Sequence, residues 1–347
     1  MIKVLIVDDS QLIRKLLIEI FSQDDNITVV GTAIDPIDAR EKIKRLNPDV
    51  ITLDIEMPRM DGLTFLEKLI RLRPMPVVMI STLTEKGADI TMQALQLGAV
   101  DFIPKPKLDV ISALPALSAE IISKIKHAAR ANVLALTKSV CQEEPYSFPQ
   151  PTGSRSKKYE LIAIGASTGG TEAIKQVLRV LPAKMPPILI VQHMPSGFTQ
   201  SFANRLNQLY KLEVKEFNQS SEELKANHVY IANGAEHMII QKSAGKYRLL
   251  RDVSEPQNRH KPSVDKLFNS IADTCGDRAI GIILTGMGMD GASGMKNMRN
   301  SGALTIAQDK GSSVVWGMPR VAIEQNAAVQ VLPLTQIGEH LVKQCFS

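Results

Sequence analysis

Short runs of apolar and β-branched residues alternate with amphipathic stretches along almost the whole chain. Between Met1 and Ile122 these runs are "KVLIV", "ITVVG", "DVITLDI", "PVVMIS" and "DFIPK". After Lys158 they are "ELIAIGA", "PPILIVQH", "LEVKEF", "HVYIAN", "AIGIILTG", "ALTIAQD" and "VQVLP". Such alternation predicts an α/β fold in which parallel strands form sheets covered by helices on both faces. In these sheets, ligand sites lie at the carboxyl ends of the strands.

The alternation is interrupted once, which predicts two domains. Residues 1–122 form the first, residues 123–158 a linker and residues 159–347 the second. The linker contains a stretch that could continue a helix, "SKIKHAARANVLALTK", followed by "SVCQEEPYSFPQPTGSRSKK", which is rich in Pro, Ser and charge. Within the second domain, "HMIIQKSAGKYRLLRD" predicts a β-hairpin that turns at Ala244 and Gly245.

Composition excludes several classes of protein. The net charge is +5, and the basic residues are scattered rather than clustered, so no nucleic-acid partner is expected. Cys141, Cys275 and Cys345 lie far apart, which predicts neither a disulfide framework nor a zinc site. The run "MIKVLIVDDS" is too short in apolar residues for a signal peptide, and no later run approaches the length of a membrane span, so neither is expected. A cytoplasmic protein that is not embedded in a membrane is therefore expected.

Five polar residues follow strands of the first domain. Asp8 and Asp9 follow the first predicted strand, Asp54 ends the third, Ser81 ends the fourth and Lys105 ends the fifth. Adjacent carboxylates repel one another, and a cation such as Mg²⁺ would neutralise them. The hydroxyl and the ammonium group would suit a phosphoryl group on Asp54. The alternative interpretation is that the aspartates only cap helices.

Four motifs at these positions resemble the receiver domain of response regulators. They are "VDD", "DIEMPRMDG", "MIST" and "KP". The resemblance covers the first domain and implies a flavodoxin-like (βα)5 fold. It also implies that Asp54 accepts a phosphoryl group from a histidine kinase, with Mg²⁺ held by Asp9 and Asp54 and with Asp8 nearby.

The same resemblance assigns the remaining residues of the pocket. Ser81 would be the switch hydroxyl and Lys105 would contact the phosphoryl group. The switch aromatic of the family corresponds to Phe102, which has no hydroxyl. The bond between Lys105 and Pro106 is expected to be cis.

The second domain places a serine, a histidine and an aspartate after predicted strands. Ser167 follows "LIAIGA", His193 ends "PPILIVQH" and Asp290 follows "AIGIILTGMGMD". These residue types can form a nucleophile, a general base and its orienting carboxylate. Among other possible bases, His237 lies just after "VYIAN" and competes with His193. His228 begins a strand at the wrong end, and His260 follows no strand.

The glycines around Ser167 suit acyl transfer as well as other roles. A sharp turn and the N-terminus of the next helix would stabilise an oxyanion, and the backbone N–H of Met287 could point to the same place. Ser167 and Thr168 could instead cap that helix or bind phosphate, and Asp290 could cap another. From the residues alone, a Ser-His-Asp hydrolase and a nucleotide-binding module both remain open.

Five segments of the second domain resemble the catalytic domain of the chemotaxis protein-glutamate methylesterases. They are "GASTGG", "VQHMPSGFTQSFANRLN", "RHKPSVDKLF", "LTGMGMDGASG" and "AQDKGSSVVWGMP". The resemblance implies that Ser167 is the nucleophile, His193 the base and Asp290 the orienting carboxylate. Met287 would supply an oxyanion N–H and Thr168 would shape the site. The sequence departs from the family pattern at Met289 and Asn233.

This resemblance implies a phosphorylation-activated hydrolase of sensory adaptation. Its substrates would be glutamate methyl esters, and by the same path glutamines, on methyl-accepting chemotaxis receptors. Hydrolysis would need no cofactor, whereas phosphorylation of the receiver would need Mg²⁺. The unphosphorylated receiver would cover the Ser167 site. The alternative from another class is a response regulator whose second domain binds a nucleotide, DNA or a protein partner.

Overall fold

The computed structural model describes residues 1–57, 60–82, 84–106, 110–135 and 158–346. The chain divides into two compact units, Met1–Gln142 and Glu143–Ser347. Cys141 and most of the predicted linker lie outside the described residues, as do Pro58 and Arg59 of the receiver motif "DIEMPRMDG". Each unit is described by itself below.

The first unit is built on a parallel sheet with the strand order β2-β1-β3-β4-β5. Its strands are β1 (Ile2–Val7), β2 (Ile27–Ala33), β3 (Val50–Asp54), β4 (Val77–Thr82) and β5 (Asp101–Lys105). Its helices are α1 (Gln11–Phe21), α2 (Pro36–Leu46), α3 (Gly62–Leu72), α4 (Glu85–Gln96), α5 (Val110–Ala116) and α6 (Ser118–Ala128). The predicted flavodoxin-like fold is confirmed.

The second unit contains a parallel seven-stranded sheet and a small antiparallel sheet. Its strands are β6 (Leu161–Ala166), β7 (Ile188–Gln192), β8 (Glu213–Phe217), β9 (Ser221–Glu223), β10 (His228–Ala232), β11 (His237–Ser243), β12 (Lys246–Asp252), β13 (Ala279–Ile283), β14 (Leu304–Gln308) and β15 (Gln330–Leu332). Its helices are α7 (Gly170–Arg179), α8 (Phe198–Leu209), α9 (Val264–Thr274), α10 (Ala292–Asn300), α11 (Met318–Glu324) and α12 (Leu334–Cys345), with a short 3₁₀ helix (Gly276–Arg278) before β13.

The order of the large sheet is β15-β14-β13-β6-β7-β10-β8. Strand β6 lies in the middle of this sheet. Strands β7, β10 and β8 lie on one side of it, and the later strands β13, β14 and β15 lie on the other side. A crevice opens at the carboxyl ends of strands where the order reverses in this way. In the first unit, the corresponding reversal lies between β1 and β3. The strand order alone therefore places one site in each unit.

Close packing joins the middle of the large sheet to α9. A Cβ atom on Gly165 would lie 2.3 Å from Cγ1 of Val264, so only glycine allows the helix to approach β6 this closely. Val264, Leu267, Phe268 and Ile271 of α9 are fully buried in the core. This packing brings the N-terminus of α9 beside the carboxyl end of β6, where Ser167 follows.

The hairpin and the other predicted strands are confirmed. Ala244 and Gly245 connect β11 to β12 with φ angles of 49° and 79°, the two positive values that a type I′ turn requires. The three-residue strand β9 was not predicted, because its sequence "SEE" carries no apolar pattern. It forms an edge strand by pairing with β12.

In the first unit, the start of the predicted linker continues a helix, as its sequence allows, and one other expectation is wrong. Helix α6 extends to Ala128, so the first six residues of the predicted linker, Ser123 onward, are helical. Ile121, Ile125 and Ala128 are buried, which explains why the helix continues. The expected cis bond at Pro106 is wrong: among the described residues, the cis peptide bond is Lys261-Pro262. A trans bond is the intrinsic preference of an X-Pro sequence.

Candidate active site and acidic pocket

Ser167, His193 and Asp290 lie together at the carboxyl edge of the large sheet. Ser167 follows β6, and its N–H donates to the carbonyl of Thr285 at 3.1 Å. His193 follows β7, and its N–H donates to the carbonyl of Ala166 at 3.0 Å. Nε2 of His193 lies 2.9 Å from Oδ2 of Asp290. The loops after three neighbouring strands thus bring the predicted nucleophile, base and carboxylate to one place.

Donors from several elements surround the carboxylate of Asp290. Oδ1 accepts from Oγ of Ser263 at 2.8 Å and from Nδ2 of Asn258 at 3.0 Å. Oδ2 accepts from the N–H of Val264 at 2.6 Å. Burial alone would raise the pKa of Asp290, but the hydrogen bonds from these groups and from His193 hold it far below its ordinary value. Asp290 is therefore an ionised carboxylate in a fully buried position.

The ionised carboxylate determines which nitrogen of His193 carries the proton. Asp290 can only accept hydrogen bonds, so Nε2 of a neutral His193 must donate. The other nitrogen, Nδ1, is then the ring's proton acceptor. This Nδ1 is buried and has no hydrogen-bond partner within the described part of the chain. The arrangement leaves one basic nitrogen ready for a proton from a neighbouring group.

The capping alternatives for Ser167 and Asp290 are not supported. The N-cap residue of α7 is Gly169, with a φ of 75°, which has no side chain to cap the helix. Helix α10 likewise begins after Gly291, and not through a bond from Asp290. The side chain of Asp290 instead accepts from the first turn of α9, whose N-cap is Ser263. Neither polar residue is thus used as the cap of the helix that follows it.

The glycine-rich turn after β13 lies directly against Ser167. A Cβ atom on Gly286 would lie 2.8 Å from Cβ of Ser167, so this turn can approach the serine only because Gly286 has no side chain. Met287 is the next residue. Thr168 is buried, and its carbonyl accepts from Oγ1 of Thr285 at 3.0 Å. The turn and the start of α7 therefore surround the serine from two sides.

The competing histidines have other partners. Nδ1 of His237 accepts from the N–H of Ser263 at 3.1 Å, and its Nε2 lies 3.0 Å from the carbonyl of Glu255. His237 therefore orders the loop before α9. The ring of His260 stacks on the ring of His193, with centroids 3.8 Å apart and an interplanar angle of 9°. His228 lies at the start of β10 and contacts Glu213.

Sequence reasoning missed Asn258 and the contact made by His260. Both lie in the loop between β12 and α9, which follows no strand of the parallel sheet, so the rule that predicted the other residues does not apply to them. The segment "RHKPSVDKLF" was nevertheless part of the resemblance, which indicated that this loop matters without saying how.

Four of the five polar residues of the first unit come together in one pocket. Asp8, Asp9 and Asp54 each offer a carboxylate oxygen, and these atoms lie within 4.8 Å of one another. Nζ of Lys105 lies 2.9 Å from Oδ2 of Asp8 and 2.8 Å from Oδ2 of Asp54. A cluster of hard oxygen donors beside one ammonium group fits Mg²⁺. Oγ of Ser81 donates to the carbonyl of Gly87 at 3.2 Å.

Burial controls the charge of this acidic pocket. It raises the pKa of Asp54 to about 6 against the opposing attraction of Lys105, and it also raises the pKa of Asp8. Carboxylates whose pKa is raised by burial are stabilised in their charged form when they bind a cation.

The predicted switch aromatic, Phe102, lies in β5. Its side chain is buried, and Nζ of Lys124 lies 5.1 Å from the centre of its ring.

The sequence matches two protein families. Residues 162–341 match the family described as CheB methylesterase, and residues 4–114 match the response regulator receiver domain. The chain belongs to the CheB methylesterase family. Its first unit is a receiver domain. This membership does not favour a nucleotide-binding or other output domain as the second unit.

Relatives of the family match over the full length. A protein-glutamate methylesterase/protein-glutamine glutaminase 1 of Xanthomonas campestris is 51% identical over 346 residues, which is 98% of this chain and 96% of that protein. A protein-glutamate methylesterase/protein-glutamine glutaminase of Bordetella parapertussis is 53% identical over 342 residues, with the same shares covered. The crystal structure of the Thermotoga maritima CheB methylesterase catalytic domain is 39% identical, has a TM-score of 0.52 and covers 54% of this chain and 98% of that chain.

Replacing Asp290 by Asn should destabilise the protein in a pH-dependent way. The folded-state pKa of Asp290 is lowered, so its contribution to stability is present above the ordinary pKa of about 4 and is lost as pH falls below it. Urea unfolding should show a loss of about 1–3 kcal/mol for Asp290→Asn at pH 7 and a smaller loss at pH 3.

Asp265 provides the matched control. Burial raises its pKa, so ionisation of Asp265 opposes folding, and Asp265→Asn should cost more at pH 3 than at pH 7 relative to the unchanged protein. If Asp290→Asn shows the same loss at both pH values, Asp290 is not the buried ionised carboxylate described above.

Proposed function

We propose that this protein hydrolyses the γ-methyl esters of glutamate residues on methyl-accepting chemotaxis receptors. The observation that carries the proposal is the arrangement of His193, which donates through Nε2 to Asp290. Its buried Nδ1, beside the turn of Ser167, has no hydrogen-bond partner among the described residues. Membership of the CheB methylesterase family supplies the substrate class. The reaction would remove methyl groups and reset receptor sensitivity, which is sensory adaptation.

The first half of the reaction forms an acyl-enzyme. Oγ of Ser167 attacks the ester carbonyl carbon while Nδ1 of His193 takes the hydroxyl proton. The ionised Asp290 stabilises the imidazolium that results. The tetrahedral intermediate then collapses, its bond to the methoxy oxygen breaks, and His193 returns the proton to that oxygen. Methanol leaves, and the glutamyl group remains esterified to Ser167.

The second half repeats the steps with water. His193 takes a proton from water while the water oxygen attacks the acyl carbon. The bond between the acyl carbon and Oγ of Ser167 then breaks, and His193 returns the proton to Oγ. The side-chain carboxylic acid of glutamate is released and loses its remaining proton to solvent. A primary amide can follow the same path with ammonia as the leaving group, so we extend the proposal to receptor glutamines. The relatives named as glutaminases support this extension.

Backbone donors would stabilise the negative oxygen of both intermediates. The close approach of Gly286 to Ser167 supports the N–H of Met287 as one donor. The N-terminus of α7, with its positive end of the helix dipole, lies on the other side. Preorganised donors of this kind are among the largest contributions to acyl-transfer catalysis. Thr168 would shape this part of the site.

The acidic pocket of the receiver would accept a phosphoryl group on Asp54 from the histidine kinase of the chemotaxis system. Lys105 lies within ion-pair distance of Asp54 and would contact the phosphoryl oxygens. Ser81 would be the switch hydroxyl, and Phe102 would take the place of the switch aromatic. Asp9 and Asp54, with Asp8 nearby, would hold Mg²⁺, which would neutralise negative charge during the transfer.

We further propose that the unphosphorylated receiver inhibits the hydrolase and that phosphorylation releases it. A phosphoryl group changes the local charge by about −2, which is enough to bias an equilibrium between two states by a few kcal/mol.

The proposed location is the cytoplasm. Cys275 is a buried cysteine outside any disulfide, which suits a reducing compartment. No helix in the described part of the chain is both long and apolar enough to span a membrane.

Ser167→Ala should remove the hydrolase activity without affecting the fold. The substitution deletes only the attacking oxygen from a nearly buried position. Methanol release from methyl-labelled receptor membranes should fall by about a thousandfold or more, because the remaining groups cannot form the acyl-enzyme. Circular dichroism should match that of the unchanged protein. Undiminished methanol release by a pure sample of the variant would overturn the assignment of Ser167.

Phosphorylation should increase methanol release by the intact protein. Acetyl phosphate with Mg²⁺ should raise the rate, whereas Asp54→Asn, which cannot form the acyl phosphate, should stay at the basal rate. The segment Lys158–Ser347 should exceed the unphosphorylated intact protein and ignore the phosphodonor. Equal rates for the segment and the unphosphorylated intact protein would reject inhibition by the receiver, while methylesterase activity itself would stand.

A further inference from the structure

The four residues from Gln257 to His260 form a tight turn beside the active site. The N–H of His260 donates to the carbonyl of Gln257 at 2.8 Å, and the N–H of Gln257 donates back to the carbonyl of His260 at 3.1 Å. Asn258 and Arg259 have φ angles of 54° and 66°. Two successive positive values are typical of a type I′ turn, in which glycine is the usual second residue. Arg259 therefore holds a strained conformation, which persists only where neighbouring contacts fix it.

Two side chains of this turn contact the proposed catalytic residues. Nδ2 of Asn258 donates to Oδ1 of Asp290 at 3.0 Å and to Oδ2 of Asp265 at 2.7 Å. The ring of His260 lies almost parallel to the ring of His193, with a centroid distance of 3.8 Å. One short turn thus fixes the carboxylate through Asn258 and lies over the face of the base through His260.

The stack matters because the hydrogen bond to Asp290 does not fix the plane of the His193 ring. A ring that is attached at Cγ and hydrogen-bonded at Nε2 can still turn about the line joining these two atoms, and this turn moves Nδ1. The flat face of His260 at van der Waals distance opposes this rotation. Two flat rings in van der Waals contact gain dispersion energy from many atom pairs.

We propose that His260 is a positioning residue, which holds the plane of the His193 ring so that Nδ1 faces Ser167 while Nε2 remains on Asp290. The proposal rests on the function assigned above, in which His193 is the base. His260 itself touches neither the substrate nor the reacting atoms in this account. Its contribution is the flat ring, and its ability to exchange a proton is not required.

Two variants of the full chain distinguish the effect of a flat ring at position 260 from the effect of side-chain volume. His260→Leu fills the space without a flat face, and His260→Phe keeps an aromatic face. We expect kcat for methanol release to fall about three- to tenfold in His260→Leu, with KM changed less than about twofold. We expect His260→Phe to retain kcat within about twofold of the unchanged protein. His260→Gln, a polar side chain without a ring, replaces His260→Leu if the latter does not fold.

A second measurement, by NMR, observes the hydrogen-bonded proton of the His193 ring directly and needs no substrate. The proton on Nε2 of His193, hydrogen-bonded to Asp290, should give a downfield NMR signal that Asp290→Asn abolishes. The signal should persist in His260→Phe and should broaden or vanish in His260→Leu. Equal kcat and equal signals in the Leu and Phe variants would overturn the proposal, and so would an effect confined to KM.

The two measurements also separate this inference from the proposed function. If the unchanged protein releases no methanol from receptor membranes, the proposed substrate is wrong, and the NMR comparison alone then decides the role of His260. If the unchanged protein releases methanol and both variants match it, only the role of His260 is wrong.

Discussion

The proposed chemistry of the second unit depends on the buried carboxylate of Asp290 and the hydrogen bonds that it accepts. The N-terminus of α9, the hydroxyl of Ser263 and the amide of Asn258 together stabilise its negative charge in a place without solvent. Because an ionised carboxylate can only accept, it requires the Nε2 proton of His193 and leaves Nδ1 as the basic nitrogen. The packing of α9 against Gly165 is therefore part of the site, since it places these donors.

Both units use the same property of parallel sheets for different chemistry. In each, the strand order reverses in the middle of the sheet, and the loops at the carboxyl edge meet at that point. In the first unit these loops carry carboxylates and Lys105, a set suited to a cation and a phosphoryl group. In the second they carry Ser167, His193 and Asp290. The shared architecture explains where each site lies, and the side chains explain what each site can do.

The strand-end rule explains how much of this could be predicted from the sequence. Ser167, His193 and Asp290 follow long apolar strands, so their convergence was predictable, as was the hairpin at Gly245. Asn258 and its neighbours lie in the loop between β12 and α9, which follows no strand of the parallel sheet. The tertiary contacts of such a loop produce no periodic pattern in the sequence. The strand β9 was too short to show a pattern, and the expected cis bond in the receiver came from resemblance alone.

The proposed chemistry depends on one claim, that His193 activates Ser167 as a nucleophile. Covalent labelling by a small fluorophosphonate, followed by peptide mapping with mass spectrometry, tests this claim without any receptor. If this claim holds, labelling gives a single adduct on Ser167, and its rate is about a hundredfold or more lower in His193→Gln, because the variant lacks the general base. An adduct on another residue, or an unchanged labelling rate in His193→Gln, would contradict it.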